Sequence, residues 1–156
     1  MIVRNKILLL VINVLMLFIY LFKYLMKKKM LKNNNPFNLK YFDSINWKGQ
    51  IGQNKGFAVF DTINNGVRAG VKNMVHSIEE DGCNTIEKLV NDHAPEGDNS
   101  EQSRVNYVKF LYDKSGMYEG QIIKEENYFD LAAGICYFEQ SYILDFDMFY
   151  DVFSKL

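Results

Sequence analysis

The first pattern along the chain is a run with almost no polarity. From Ile7 to Phe22 every side chain is apolar except Asn13 and Tyr20, and Leu21 to Met26 extends the run around Lys23. Twenty positions from Ile7 to Met26 are enough, at ~1.5 Å per residue, for a helix across a ~30 Å hydrocarbon core, with Lys23 reaching towards the headgroups. A cleaved signal peptide would end in small residues, whereas Tyr24-Leu25-Met26-Lys27-Lys28-Lys29 follows, so the segment reads as an uncleaved anchor. Asn33-Asn34-Asn35-Pro36 then breaks any continuing helix, because proline lacks an amide hydrogen and turns its predecessor away from helical angles.

Beyond Pro36 the pattern changes twice. Up to Asp61 turn formers alternate with aromatics, and Trp47-Lys48-Gly49, Gly52 and Gly56 punctuate short runs such as Phe57-Ala58-Val59-Phe60, which predicts a β-hairpin or an irregular aromatic lobe. Helical spacing then takes over. Thr62 is an N-cap for a helix carrying Val67, Val71, Met74, Val75 and Ile78 and stopped by Gly82. Gly66 and Gly70 inside it each weaken a helix by up to ~1 kcal/mol relative to Ala, which points to close approach by a neighbouring segment. A second helix runs from Thr85 to just before Ala94-Pro95, and a third is capped by the loop ending at Ser100 and closed by Ser115-Gly116. Tyr128 to Tyr142 and Phe146 to Phe153 supply two more. The domain is therefore expected to be α+β and mainly helical.

Charge divides the chain the same way. Residues 1–32 hold seven Lys/Arg and no acid, while residues 33–156 hold eleven Lys/Arg against nineteen acids, so the parts carry +7 and −8. Two units follow: a membrane anchor with a lysine-rich flank over 1–32, and one soluble domain over 33–156. The first makes a single-pass membrane protein with lipid contacts through residues 7–32. Lys23, Lys27, Lys28, Lys29 and Lys32 outnumber Arg4 and Lys6, which favours a cytoplasmic domain; the same lysines also suit anionic lipid on either side, so the side stays open. The acidic domain excludes nucleic acid as a partner. Cys83 and Cys136 are a disulfide or, the preferred reading, two ordinary buried thiols.

Little of the chemistry is written locally. His76 and His93 lie on separate helices without ligand-spaced partners, so no metal is expected, and the glycines near Gly49 lack the Gly-Lys-Ser/Thr ending of a phosphate loop; no cofactor is expected. Carboxylates remain, beside an aromatic-rich stretch of Tyr41, Phe42, Trp47, Phe57 and Phe60 that suits a wall for sugar rings, although for each of them a place in the core of a small domain is the preferred reading. Glu79, Glu96, Asp98 and Glu139 are the candidate acids. Glu139 leads, because it follows the apolar face Ile135-Cys136-Phe138, where burial raises a carboxyl pKa.

Asn34-Asn35-Pro36-Phe37-Asn38-Leu39-Lys40, then Trp47-Lys48-Gly49, Gly56 to Asp61 and Gly66-Val67-Arg68-Ala69, resemble a family of phage and prophage virion-associated proteins. Thr85-Ile86, Ala94-Pro95, Asp98-Asn99 and Tyr107-Val108 look like that family's next block. The opening is also distantly similar to the Asn-Asn segment of lysozyme-like glucosaminidases that cut peptidoglycan. The resemblance implies a lysozyme-like small domain, here behind one N-terminal transmembrane helix, that binds peptidoglycan glycan; from this chain's own residues, Asn34, Asn35, Asn38, Trp47 and Phe57 are the candidate glycan contacts and Glu139 is the candidate acid for cleaving it. Phe37 departs from the family's usual Gly. The glucosaminidases place their Glu upstream of the Asn-Asn motif, whereas the first acid here is Asp43. The alternative is a non-catalytic virion, structural or interaction protein that keeps the fold without the acid, and whether the chain is an enzyme stays open. For the three asparagines two roles stay open as well: bonds to sugar amides, or local turn and cap bonds.

Overall fold

A computed structural model describes residues 14–19 and 31–156. The chain divides into two compact units, Met1–Met30 and Leu31–Leu156. In the first, residues 14–19 are helical. No helix among the described residues is long and apolar enough to cross a membrane. The expected fold of a domain behind one transmembrane helix, and the single-pass membrane localisation, are corrected on this finding. The rest of the Ile7–Met26 run, and its lysine flank apart from Lys32, lie outside the described residues.

The second unit is mainly helical with one small antiparallel sheet. Strands β1 (Gln50–Asn54) and β2 (Phe57–Phe60) are joined by Lys55-Gly56, both at positive φ (53° and 82°), the two-residue turn whose twist matches a hairpin. Leu39 and Tyr41 continue the pairing along β2: the Ala58 amide donates to the Leu39 carbonyl and the Tyr41 amide to that of Gly56, each at 2.9 Å.

Five helices follow: α1 (Ile63–Glu79), α2 (Ile86–His93), α3 (Glu101–Ser115), α4 (Tyr128–Gln140) and α5 (Phe146–Phe153). Their starts are set by side-chain caps, as Thr62, Thr85, Ser100 and Asp145 each accept a backbone N–H of the first turn. Gly116 closes α3 at φ 68°, and Pro95 prevents α2 from passing Ala94. Helix α1 is the centre, burying Val67, Val71, Met74, Val75 and Ile78 and packing against β2, α2, α4 and α5. Helices α3 and α4 pack together where Gly134 meets Leu111.

The two glycines of α1 explain how the opening loop is seated. A Cβ at Gly66 would fall on the Asn34 carbonyl oxygen, and one at Gly70 on the Phe37 ring. Gly66 and Gly70 are one turn apart on one helix face, so the loop 34–38 lies directly on the helix backbone. Phe37, 1% exposed, fills this seat with a φ outside the left-handed region, so a side chain is accommodated without strain. Cys83 and Cys136 are free thiols.

Candidate functional site

The opening loop, the hairpin and the ends of α2 and α4 enclose a cleft of about 340 Å³. Trp47, Phe57 and Phe42 wall it, and Asn38, His93 and Glu139 are among its polar groups. Each arrives by a different local device. Asn38 closes a turn, its amide donating to the Asn35 carbonyl at 3.1 Å, and its left-handed φ of 54° suits asparagine better than most residues. His93 is the last residue of α2, and Glu139 stands on the last turn of α4.

Polar contacts tie the three together. The Asn38 amide nitrogen donates to Glu139 Oε2 at 3.1 Å, and Gln140 Nε2 donates to Asn38 Oδ1 at the same distance. Glu139 Oε1 lies 3.6 Å from His93 Nε2, with side-chain exposures of only 16% and 12%. Burial pulls the His93 pKa down, against the opposing pull of the Glu139 carboxylate and the Phe37 carbonyl. The imidazole is therefore neutral at neutral pH.

The other expected residues separate into two groups. Trp47 and Phe57 line the cleft with Asn38 and Glu139, whereas Asn34 and Asn35 face the protein. Both Asn35 amide protons go to carbonyls, of Leu39 at 2.9 Å and Ala58 at 3.0 Å, while its oxygen accepts the Leu39 amide at 2.9 Å. Asn34 likewise donates to the carbonyls of Phe60 and Asp61. These two asparagines clamp the loop to β2 and have no amide proton left for a ligand. Among the expected acids, Glu79 accepts from the Tyr128 hydroxyl, Glu96 is exposed, and Asp98 lines the cleft but pairs with Lys40. Phe60 belongs to the core.

Sequence spacing missed three members of this neighbourhood. His93 has no motif around it, and its position just before Ala94-Pro95 was the one local signal that its side chain would sit at a helix end. Tyr107 on α3 is 2% exposed and stacks on Phe138 with ring centroids 3.8 Å apart. Asp92 also lines the cleft and accepts a hydrogen bond from Ser77 at 2.8 Å. Among the described residues no cluster of His, Cys, Asp and Glu is arranged to hold a metal ion.

Comparison with known proteins shows sequence similarity to a phage protein. No family model matches the chain. Over 102 residues, 63% of the chain, it is 30% identical to Protein P5 of Pseudoalteromonas phage PM2, and it spans 62% of that protein's length. The chain is thus similar to a phage protein.

Proposed function

We propose that the domain is a phage-type, lysozyme-like module that binds peptidoglycan glycan in this cleft and cleaves it with Glu139 as the acid. One observation carries the reading: a carboxyl only 16% exposed, fixed by Asn38 and facing a buried imidazole, at the bottom of an aromatic-walled cleft. Trp47 and Phe57 offer flat apolar faces to sugar rings. With Oε2 held by Asn38, Oε1 is the oxygen that faces the glycosidic bond in this mechanism. As the bond from C1 to the glycosidic oxygen breaks, that oxygen takes the Oε1 proton; a water then adds to C1 and returns a proton to Glu139. A neutral His93 leaves Glu139 free of a permanent ion pair.

A second reading is a binder that does not cut, a structural or interaction protein of the virion type. It is favoured by the state of the other cleft carboxylates, because Asp98 is paired with Lys40 and Asp92 with Ser77. No second carboxylate there is unengaged.

Purified peptidoglycan separates the two. Co-sedimentation measures binding, and release of reducing ends measures cleavage. Glu139→Gln should still sediment with the glycan but lose about 100-fold or more of its cleavage, whereas Trp47→Ala should lose both. Undiminished cleavage by Glu139→Gln removes the acid role. Sedimentation without cleavage by the unmodified chain selects the binder, and no sedimentation refutes both.

A further inference from the structure

Tyr107 stands in the wall behind Glu139 with its hydroxyl buried and without a hydrogen-bond partner. Its ring lies flat on Phe138, at 10° between planes, and edge-on to His93 with centroids 6.4 Å apart. Phe138 immediately precedes Glu139, so the phenol is held between His93 and the chain neighbour of Glu139. An orphaned hydroxyl is costly, and phenylalanine would fill the same space without that cost. Such a violation of packing logic marks a place where function is the better explanation. Burial first, and the Glu139 charge next, push the Tyr107 pKa well above the usual phenol range. The hydroxyl thus keeps its proton and remains a donor.

We infer that Tyr107 is a positioning residue for Glu139, its hydroxyl donating to the carboxylate when that group turns away from Asn38. Glu139 then has two held positions, one on Asn38 at the loop and one on Tyr107 at the wall. This rests on the reading of Glu139 as the acting group of the cleft. The consequence is visible at His93, which is faced by Glu139 from α4, Tyr107 from α3, Asp92 on its own helix, and Lys40 and the Phe37 carbonyl from the opening loop. Of these, only Glu139 is moved by the phenol. While Tyr107 shares the carboxylate, part of its charge is drawn away from the imidazole.

An NMR titration of the two histidine rings in the full chain tests this, with the exposed His76 as internal reference. Glu139→Gln should lower the His93 midpoint, because the carboxylate's support for the imidazolium is lost. Tyr107→Phe should raise it, and the double variant should superimpose on Glu139→Gln, since the phenol acts only through the carboxylate. The Tyr107 Cζ signal of the otherwise unmodified chain should also move when Glu139 becomes Gln, a readout that needs no change at Tyr107. A Tyr107→Phe curve identical to that of the unmodified chain overturns the inference. So does an upward shift that persists in the double variant, or a Cζ signal indifferent to Glu139. None of these readouts uses glycan, so the inference and the peptidoglycan reading fail separately.

Discussion

Asn35 is the residue whose removal most directly separates holding the loop from holding a sugar. At 1% exposure it makes three hydrogen bonds to the backbone of Leu39 and Ala58. In Asn35→Ala the buried Leu39 amide loses its acceptor, which costs about 1–3 kcal/mol, and the lost donation to the Ala58 carbonyl adds ~1 kcal/mol. The Leu39 carbonyl keeps the Ala58 amide, so the loss there is small. The sum is roughly 3 kcal/mol, which for a domain of this size lowers Tm by ~10 °C. Trp47 is the single tryptophan and lies beside the loop, so urea unfolding followed by its fluorescence, with far-UV circular dichroism for the helices, reads the change. Asn35→Asp should be at least as harmful, because it keeps the acceptor but turns a buried charge towards two carbonyls. If Asn35→Ala unfolds within about 0.5 kcal/mol of the unmodified chain and instead loses glycan sedimentation, the clamp reasoning is wrong.

Three more outcomes are expected. Gly70→Ala should destabilise the domain by about 1–3 kcal/mol despite the helix-propensity gain of up to ~1 kcal/mol, because the new methyl meets the Phe37 ring; a more stable variant would show that the ring yields. Because burial lowers the folded-state pKa of His93 below its usual 6.5, the unfolded chain takes up that proton first as pH falls. The contribution of His93 is therefore complete above about pH 6.5 and is lost as pH falls from there to the folded-state pKa. Urea midpoints measured on either side of that window should fall together in the unmodified chain and fall less in His93→Gln; equal slopes refute the assignment. Burial, and then the Glu139 charge, push the Cys136 pKa well up, while the partly exposed Cys83 is raised chiefly by its own burial. A thiol-reactive disulfide reagent should accordingly label Cys83 in the native chain and Cys136 only after urea, and equal native rates would contradict the burial of Cys136.

The helices were legible because their information is local. Val67 to Ile78 at helical spacing, a hydroxyl before each of the first three helices and Pro95 after the second specify starts and stops without any distant partner. The glycines of α1 were legible for the same reason, since a residue that weakens a helix needs a neighbour to justify it. The membrane expectation rested on composition alone. Apolar content over Ile7–Met26 measures what a segment would tolerate, whereas no helix among the described residues is long and apolar enough to cross a membrane. The cleft was half legible. Its aromatics and Glu139 follow from residue type, but Asn38 and Glu139 are 101 positions apart, and no periodicity reports which acid a loop will meet across the domain.

The Asn-Asn-Pro-x-Asn opening illustrates why one motif supported two readings. Asn34 and Asn35 turn their amides inward to β2, and three residues later Asn38, left-handed like Asn34, turns its side-chain amide outward to Glu139. A single loop therefore does both jobs, with its halves facing opposite ways. Phe37 lies between them and is seated on Gly70, so the distance from the helix to that ring sets how far Asn38 reaches into the cleft. Core packing and site geometry are coupled at that contact. Any change that lifts Phe37 from α1 weakens the fold and, in the same movement, draws Asn38 away from the carboxylate it holds.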